Sequence, residues 1–141
     1  MTRALGVDLG SVRIGLASSD ASGTLASPWR TLARGVDHDA DHRAIVDAAV
    51  DREATTIVVG LPLSLDGSRG PAATAVLAEV EALAELARAV GIGVDTYDER
   101  FSTVTAEHGM REARVGRRQR RSRVDAAAAT VILQSWLDAH R

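Results

Sequence analysis

Apolar residues along the 141-residue chain fall into runs and stripes of different period, and each period predicts an element. Ala4, Leu5, Gly6 and Val7 form a short apolar run that ends at Asp8, as expected for a buried strand. Gly10-Ser11 supplies a turn, and Ile14, Leu16 and Ala17 then read as a second strand that closes a hairpin. A weaker third strand is expected between Thr24 and Leu32, where Pro28 favours an irregular or edge position. From Asp39 to Arg52 the spacing becomes helical, with Ile45, Ala48, Ala49 and Arg52 three and four apart. Thr56 to Val59 is a β-branched run that fits a strand covered on both faces, stopped by Gly60 and Pro62. After a loop from Leu63 to Gly70, a helix is predicted from Pro71 to about Val90. Its apolar stripe is Val76, Leu77, Val80, Leu83, Ala84 and Ala87. Gly91 ends it, and Ile92 to Tyr97 reads as a further strand ending at Asp98-Glu99. A helix is then expected from Ser102 or Thr103, followed by a polar stretch from Arg114 to Arg123 and a last helix from Val124 to Ala139.

A hairpin plus one strand, then strands alternating with helices, predicts an α/β fold. The simplest version is a five-stranded mixed sheet flanked by helices, with right-handed crossovers. No repeat or long linker divides the sequence, so residues 1–141 read as a single domain. Hydrophobic residues at 45% suffice for a core, but aromatics at 3% leave it to Val, Leu, Ile and Ala. With no cysteine, disulfides, thiolate metal sites and cysteine nucleophiles are excluded. Met1-Thr2-Arg3 leads directly into a strand, so no signal peptide is expected. No apolar run reaches the ~20 residues of a membrane span, and a cytoplasmic protein is expected. The formal net charge of −2 conceals an uneven distribution. Asp37, Asp39, Asp41 and Asp47 crowd one segment, while Arg117, Arg118, Arg120, Arg121 and Arg123 crowd another.

Three acids stand at element ends: Asp8 after the first strand, Glu99 after the last, and Asp125 at the opening of the final helix. With the first strand central, all three can meet at one edge of the sheet. Carboxylates that close repel unless a cation neutralises them, and an all-oxygen set favours Mg²⁺ or Mn²⁺. Two such ions suit phosphodiester hydrolysis. Each acid also has a plainer reading. Asp8 fits a simple turn, Asp98 or Glu99 a loop start or a partner of Arg100, and Ser122 to Asp125 a helix cap. Spacing alone does not choose between the readings, nor between Asp98 and Glu99. Gly10 and Arg13 suit contact with a phosphate, or a tight hairpin beside a solvated arginine. The loop from Gly60 to Gly70 reads either as a substrate contact or as a connection. The arginine cluster attracts polyanions. With few aromatics to stack bases, it points to backbone and shape recognition. His38, Asp39, Asp41 and His42 suggest a metal site by spacing, but fit better the acidic start of a helix.

Four blocks carry a resemblance. Gly6 to Asp20 (GVDLGSVRIGLASSD) resembles the opening signature of the YqgF/RuvX family of pre-16S rRNA nuclease or Holliday junction resolvase-like proteins. Val59 to Gly67 (VGLPLSLDG), Asp98 to Thr103 (DERFST) and Val124 to Gln134 (VDAAAATVILQ) resemble its second, third and fourth motifs, in family order. The resemblance implies an RNase H-like fold and a metal-dependent nuclease active in ribosomal RNA maturation. Asp8, Glu99 and Asp125 match the acidic triad, as both catalytic residues and ligands for Mg²⁺ or Mn²⁺. Gly10, Arg13, Arg100 and the five clustered arginines stand as substrate-binding candidates. Phe101-Ser102 departs from the more usual Leu-Thr, and arginine replaces lysine in the basic segment; neither change touches an expected ligand. The expected partner is nucleic acid, with precursor ribosomal RNA favoured and branched DNA open, and the expected state is monomer or homodimer. Two other classes compete. An actin-like ATPase or sugar kinase would share the Asp8-Leu9-Gly10 turn but needs two domains, and an RNA-binding assembly factor would keep the acids without catalysis.

Overall fold

The computed structural model describes residues 3–63, 66–99 and 117–140, with side chains in the last segment from Ala126 onward. The helix predicted from Ser102 or Thr103 lies outside the described residues. Five strands form one mixed sheet in the order β3-β2-β1-β4-β5. Strands β1 (Ala4–Leu9) and β2 (Arg13–Ser19) make the antiparallel hairpin, and β3 (Ala26–Ala33) pairs antiparallel with β2 at the edge. Strands β4 (Thr56–Leu61) and β5 (Gly93–Asp98) add in parallel on the other side, which leaves β1 central. Pro28 is accommodated as an edge strand allows. The β2–β3 register shifts between Leu16 and Ala17, which pair with Arg30 and Pro28 and leave Trp29 as the extra residue of a bulge.

Helices α1 (His38–Asp51) and α2 (Pro71–Arg88) cover one face of the sheet. Asp37 caps α1 by accepting from the Ala40 amide at 2.8 Å. Pro71 opens α2, and Gly91 turns the chain beyond it at φ +77°. Leu5, Val7, Ile14, Leu16, Ile57, Val59 and Leu61 point into the core beneath these helices. The alternate residues Ala4, Ala17 and Val58 face the opposite layer, which among the described residues is the helix α3 (Arg117–Ala139). α3 lies very close to the sheet because Gly6 has no side chain. A Cβ there would stand 2.7 Å from Leu133 Cβ and 2.8 Å from the Ala129 carbonyl oxygen.

α3 begins earlier than the polarity of its sequence suggests. Arg117 to Arg123, expected as a stretch before the helix, are its first two turns, and Asp125 lies inside the helix rather than at its start. Arginine and glutamine are good helix formers, and neither Gly nor Pro interrupts the run from Arg117 to Ala139. The capping reading of Ser122 therefore fails, since Ser122 is interior. Among the described residues, no helix is long and apolar enough to cross a membrane.

Candidate active site

Strand parity decides which acids share a face. Asp8 lies two residues beyond Gly6 on β1, pairs with Gly15 of β2, and so belongs to the α3 side of the sheet. The parallel register matches Val7 with Val59, which brings the next residue, Asp8, alongside Gly60. Gly60 in turn pairs with Tyr97 on β5, and Glu99 follows two residues later. The Glu99 side chain folds back over this glycine. Its Cγ and Cδ both lie 3.2 Å from the position a Cβ on Gly60 would take. Asp8 and Glu99 thus flank the bare backbone of Gly60 on the α3 side, at the C-terminal ends of the parallel strands. Asp98 instead pairs with Leu61, whose side chain is in the core beneath α1 and α2, so its strand parity is opposite.

Burial pushes the Glu99 carboxyl above the usual carboxylate range, and the nearby Asp98 charge pushes it further. An acid whose folded pKa is raised stabilises the fold below its unfolded pKa and loses that contribution as pH rises through the folded value. Glu99→Gln is therefore expected to raise the melting temperature of the metal-free chain at pH 7 to 8. The gain should shrink as pH falls towards the ordinary glutamate value of ~4.3. Melting curves across that range check the sign.

α3 packs across the sheet over Gly6 and Gly60. Ile132 Cδ1 sits over Gly60, Ala129 and Leu133 sit over Gly6, and Gln134 reaches the far end of the sheet. There Gln134 Oε1 accepts from the Ala26 amide at 2.8 Å, and its Nε2 donates to the Thr24 carbonyl at 3.0 Å. Position 125 precedes Ala129 by one turn of α3. The Asp125 side chain lies outside the described residues, as do those of Arg117, Arg118, Arg120, Arg121 and Arg123 and the whole of Arg100. Among the described residues, no three His, Cys, Asp or Glu side chains are grouped to hold a metal ion. Gly10 sits in the β1–β2 turn, where a Cβ would stand 2.5 Å from the Arg13 carbonyl oxygen, and Arg13 opens β2 half-buried.

The acidic segment at the start of α1 has a different use. Asp41 and His42 are buried in a polar cluster with Arg34 and Glu79, while Asp39 pairs with Arg43 at 2.8 Å on the surface. Sequence reading missed Arg34 and Glu79. One sign was available: Glu79 falls between Val76 and Leu83 in the buried stripe of α2, where a lone carboxylate needs partners. A cleft of about 590 Å³, bordered by Gly10, Ser11, Arg34, His38 and Pro62, opens above this cluster, on the sheet face opposite Glu99.

Gly60 yields a sharp prediction. A Cβ there meets Ile132 Cδ1 at 2.5 Å, a side-chain tip that can rotate, and then the Glu99 side chain. Gly60→Ala is expected to cost no more than ~1–3 kcal/mol in stability. If Glu99 is catalytic, the same change lowers cleavage by at least about tenfold, because a displacement near 1 Å suffices. Urea denaturation beside a cleavage assay separates the two effects.

A family model described as RuvX, Holliday junction resolvase, matches residues 2–139. The chain belongs to the RuvX family. A relative from Kineococcus radiotolerans named "Putative pre-16S rRNA nuclease" is 49% identical over 138 residues, covering 97% of this chain and 72% of its own. One of the same name from Myxococcus xanthus is 44% identical over 139 residues, covering 99% and 89%. Among solved structures, T. thermophilus RuvC in complex with a Holliday junction substrate matches with a TM-score of 0.60 at 14% identity. That match covers 99% of this chain and 96% of RuvC. The yeast mitochondrial Holliday junction resolvase matches with a TM-score of 0.55 at 10% identity, covering 96% and 78%. At such identities the likeness speaks for the fold, and this RuvX chain has the RNase H-like fold expected of it.

Proposed function

We propose that the chain is a divalent-metal-dependent endonuclease of structured nucleic acid, with precursor 16S ribosomal RNA as substrate and Asp8, Glu99 and Asp125 as its carboxylates. The observation that carries this reading is Glu99 lying over Gly60 beside the strand of Asp8, in a RuvX-family chain. The donors fit Mg²⁺ or Mn²⁺: they are oxygens only, and the Glu99 carboxyl is buried beside the charge of Asp98, where a cation offsets both effects. Bound there, two ions would supply a water activated for attack and charge stabilisation for the leaving oxygen of a phosphodiester. The chain's own part is placement. The two strands put Asp8 and Glu99 on one face, the bare backbone of Gly60 makes room for the Glu99 side chain, and in this reading Asp125 joins them from α3.

The first two turns of α3 hold five arginines ahead of Asp125. Their charge attracts a phosphate backbone without reading bases. Replacing Arg117 and Arg118 together by Gln is expected to weaken binding uniformly across sequences. The slope of log K against log salt should fall by about 1 for each lost phosphate contact. Fluorescence anisotropy at several salt concentrations measures it.

Cleavage assays with a precursor 16S fragment and a four-way DNA junction, each with Mg²⁺ or Mn²⁺, test the proposal. Cutting of the RNA is the expected result. A junction resolvase is the second reading, favoured by the likeness to junction-bound RuvC. It predicts paired symmetric nicks made by a dimer. Binding without cutting in either ion would mean that the protein is a non-catalytic assembly factor.

A further inference from the structure

We propose that Arg34 is a positioning residue for Asp8, clamping the β1–β2 turn to the two helices on the opposite face of the sheet. The proposal rests on the reading of Asp8 as a metal ligand. Arg34 grips the turn at two carbonyls. Its backbone amide donates to the Val12 oxygen at 3.0 Å, and its Nε donates to the Gly10 oxygen at 2.9 Å. The Gly10 amide in turn donates to the Asp8 carbonyl at 3.0 Å, so the grip is two residues from the carboxylate and joined to it by a main-chain bond.

The guanidinium is held from two helices. Nη1 and Nη2 donate to the two oxygens of Glu79 on α2, at 2.7 and 3.0 Å, and Nη1 also donates to Asp41 Oδ2 on α1 at 3.1 Å. These acids are fixed in turn. Asp41 Oδ1 accepts from the Gly35 amide at 2.7 Å, and Glu79 Oε1 is hydrogen-bonded to His42 Nε2 at 2.9 Å. Asp41, His42 and Glu79 are 4%, 3% and 7% exposed, so none of these groups can trade its partner for bulk water. Burial pushes the Glu79 carboxyl up, but the hydrogen bonds from Arg34 and His42 outweigh it and hold the group below its usual range.

Two features set this apart from ordinary core filling. Apolar side chains of similar volume often fill such a space at no greater cost in stability, and this cluster uses its charges to fix the β1–β2 turn. The planar Arg34 guanidinium makes four side-chain hydrogen bonds to a carbonyl and two carboxylates in one fixed fork; a lysine ammonium has three donors on a flexible stem and cannot reproduce them. Arg34 therefore ties the end of β1 to α1 and α2, while the space above Asp8 lies on the α3 side. A direct hydrogen-bond partner of a metal ligand is typically worth about 10–100-fold in metal affinity, and a grip on the main chain two residues away is expected at the low end of that range.

The test uses the full chain with Arg34→Lys and, as a milder variant that keeps shape, Glu79→Gln. Mn²⁺ binding without nucleic acid is measured by the electron paramagnetic resonance of free Mn²⁺, and exchange of the Gly10 amide by NMR. Arg34→Lys is expected to weaken Mn²⁺ binding several-fold, up to about tenfold, and to speed Gly10 exchange several-fold, with Glu79→Gln shifting both in the same direction by less. Half-maximal cleavage should need correspondingly more Mn²⁺, with affinity for nucleic acid unchanged. A folded Arg34→Lys chain with wild-type Mn²⁺ affinity and Gly10 exchange overturns the proposal; if that variant does not fold, the same wild-type result in Glu79→Gln overturns it. If Asp8→Asn leaves Mn²⁺ binding unaltered, the reading of Asp8 fails instead. Gly10 exchange then decides the clamp: acceleration upholds it and wild-type exchange ends it.

Discussion

An Asp8→Asn chain is expected to cleave a precursor ribosomal RNA fragment at least ~10³-fold more slowly than wild type, a loss of about 4 kcal/mol of transition-state stabilisation. Asparagine preserves the shape of the side chain and one carbonyl oxygen, so the loss isolates the negative charge. Asp8 stands at the end of the central strand, on the face it shares with Glu99 across Gly60. A divalent ion held by carboxylates depends on each of their charges, and an amide oxygen there contributes only a dipole. Circular dichroism and thermal melting should show an intact fold, because β1 keeps its pairing with β2 and β4 whichever side chain residue 8 carries. Addition of excess Mn²⁺ is expected to recover only a small part of the rate. Cleavage within a few-fold of wild type would remove Asp8 from the chemistry.

The second large effect concerns stability. Gly6→Val is expected to destabilise the fold by about 3 kcal/mol or more, the upper part of the range for overpacking. Already the first added carbon would stand 2.8 Å from the Ala129 carbonyl oxygen, which belongs to a helix backbone and cannot rotate away. α3 must lift as a whole, and it is α3 that buries Ala128, Ala129, Ile132, Leu133 and Leu137 against the sheet. Chemical denaturation of Gly6→Ala and Gly6→Val should give a graded loss. Gly60→Ala, whose nearest obstacle is the tip of Ile132, should lose less stability for a comparable change in sequence. Equal losses at the two glycines would show that α3 is not seated on Gly6 as described.

Much of the fold was readable from the order of elements. A hairpin followed by two helical crossovers nearly dictates a sheet with β1 in the middle, and Pro28 marked the edge strand. The start of α3 was not readable, because a run of arginines resembles a solvated loop while its backbone preference is helical. The choice between Asp98 and Glu99 needed the register. Only the pairing of Leu61 with Asp98 and of Gly60 with Tyr97 gives them opposite parity. Arg34 and Glu79 were the least legible pair. They are 45 residues apart in the chain, and nothing local in either segment announces the other. Glu79 inside an apolar stripe was the single physical hint, since a carboxylate facing a core must find a cation.

In the proposed function, Asp8, Glu99 and Asp125 together hold divalent metal on the α3 face of the sheet. Anomalous scattering from crystals of the chain grown with Mn²⁺ tests it most directly. Mn²⁺ peaks are expected beside Gly60, within coordination distance of the Asp8 and Glu99 carboxylates and reached by Asp125 from α3. Mn²⁺ bound only elsewhere, with the Asp8 and Glu99 carboxylates bare at saturating metal, would contradict it.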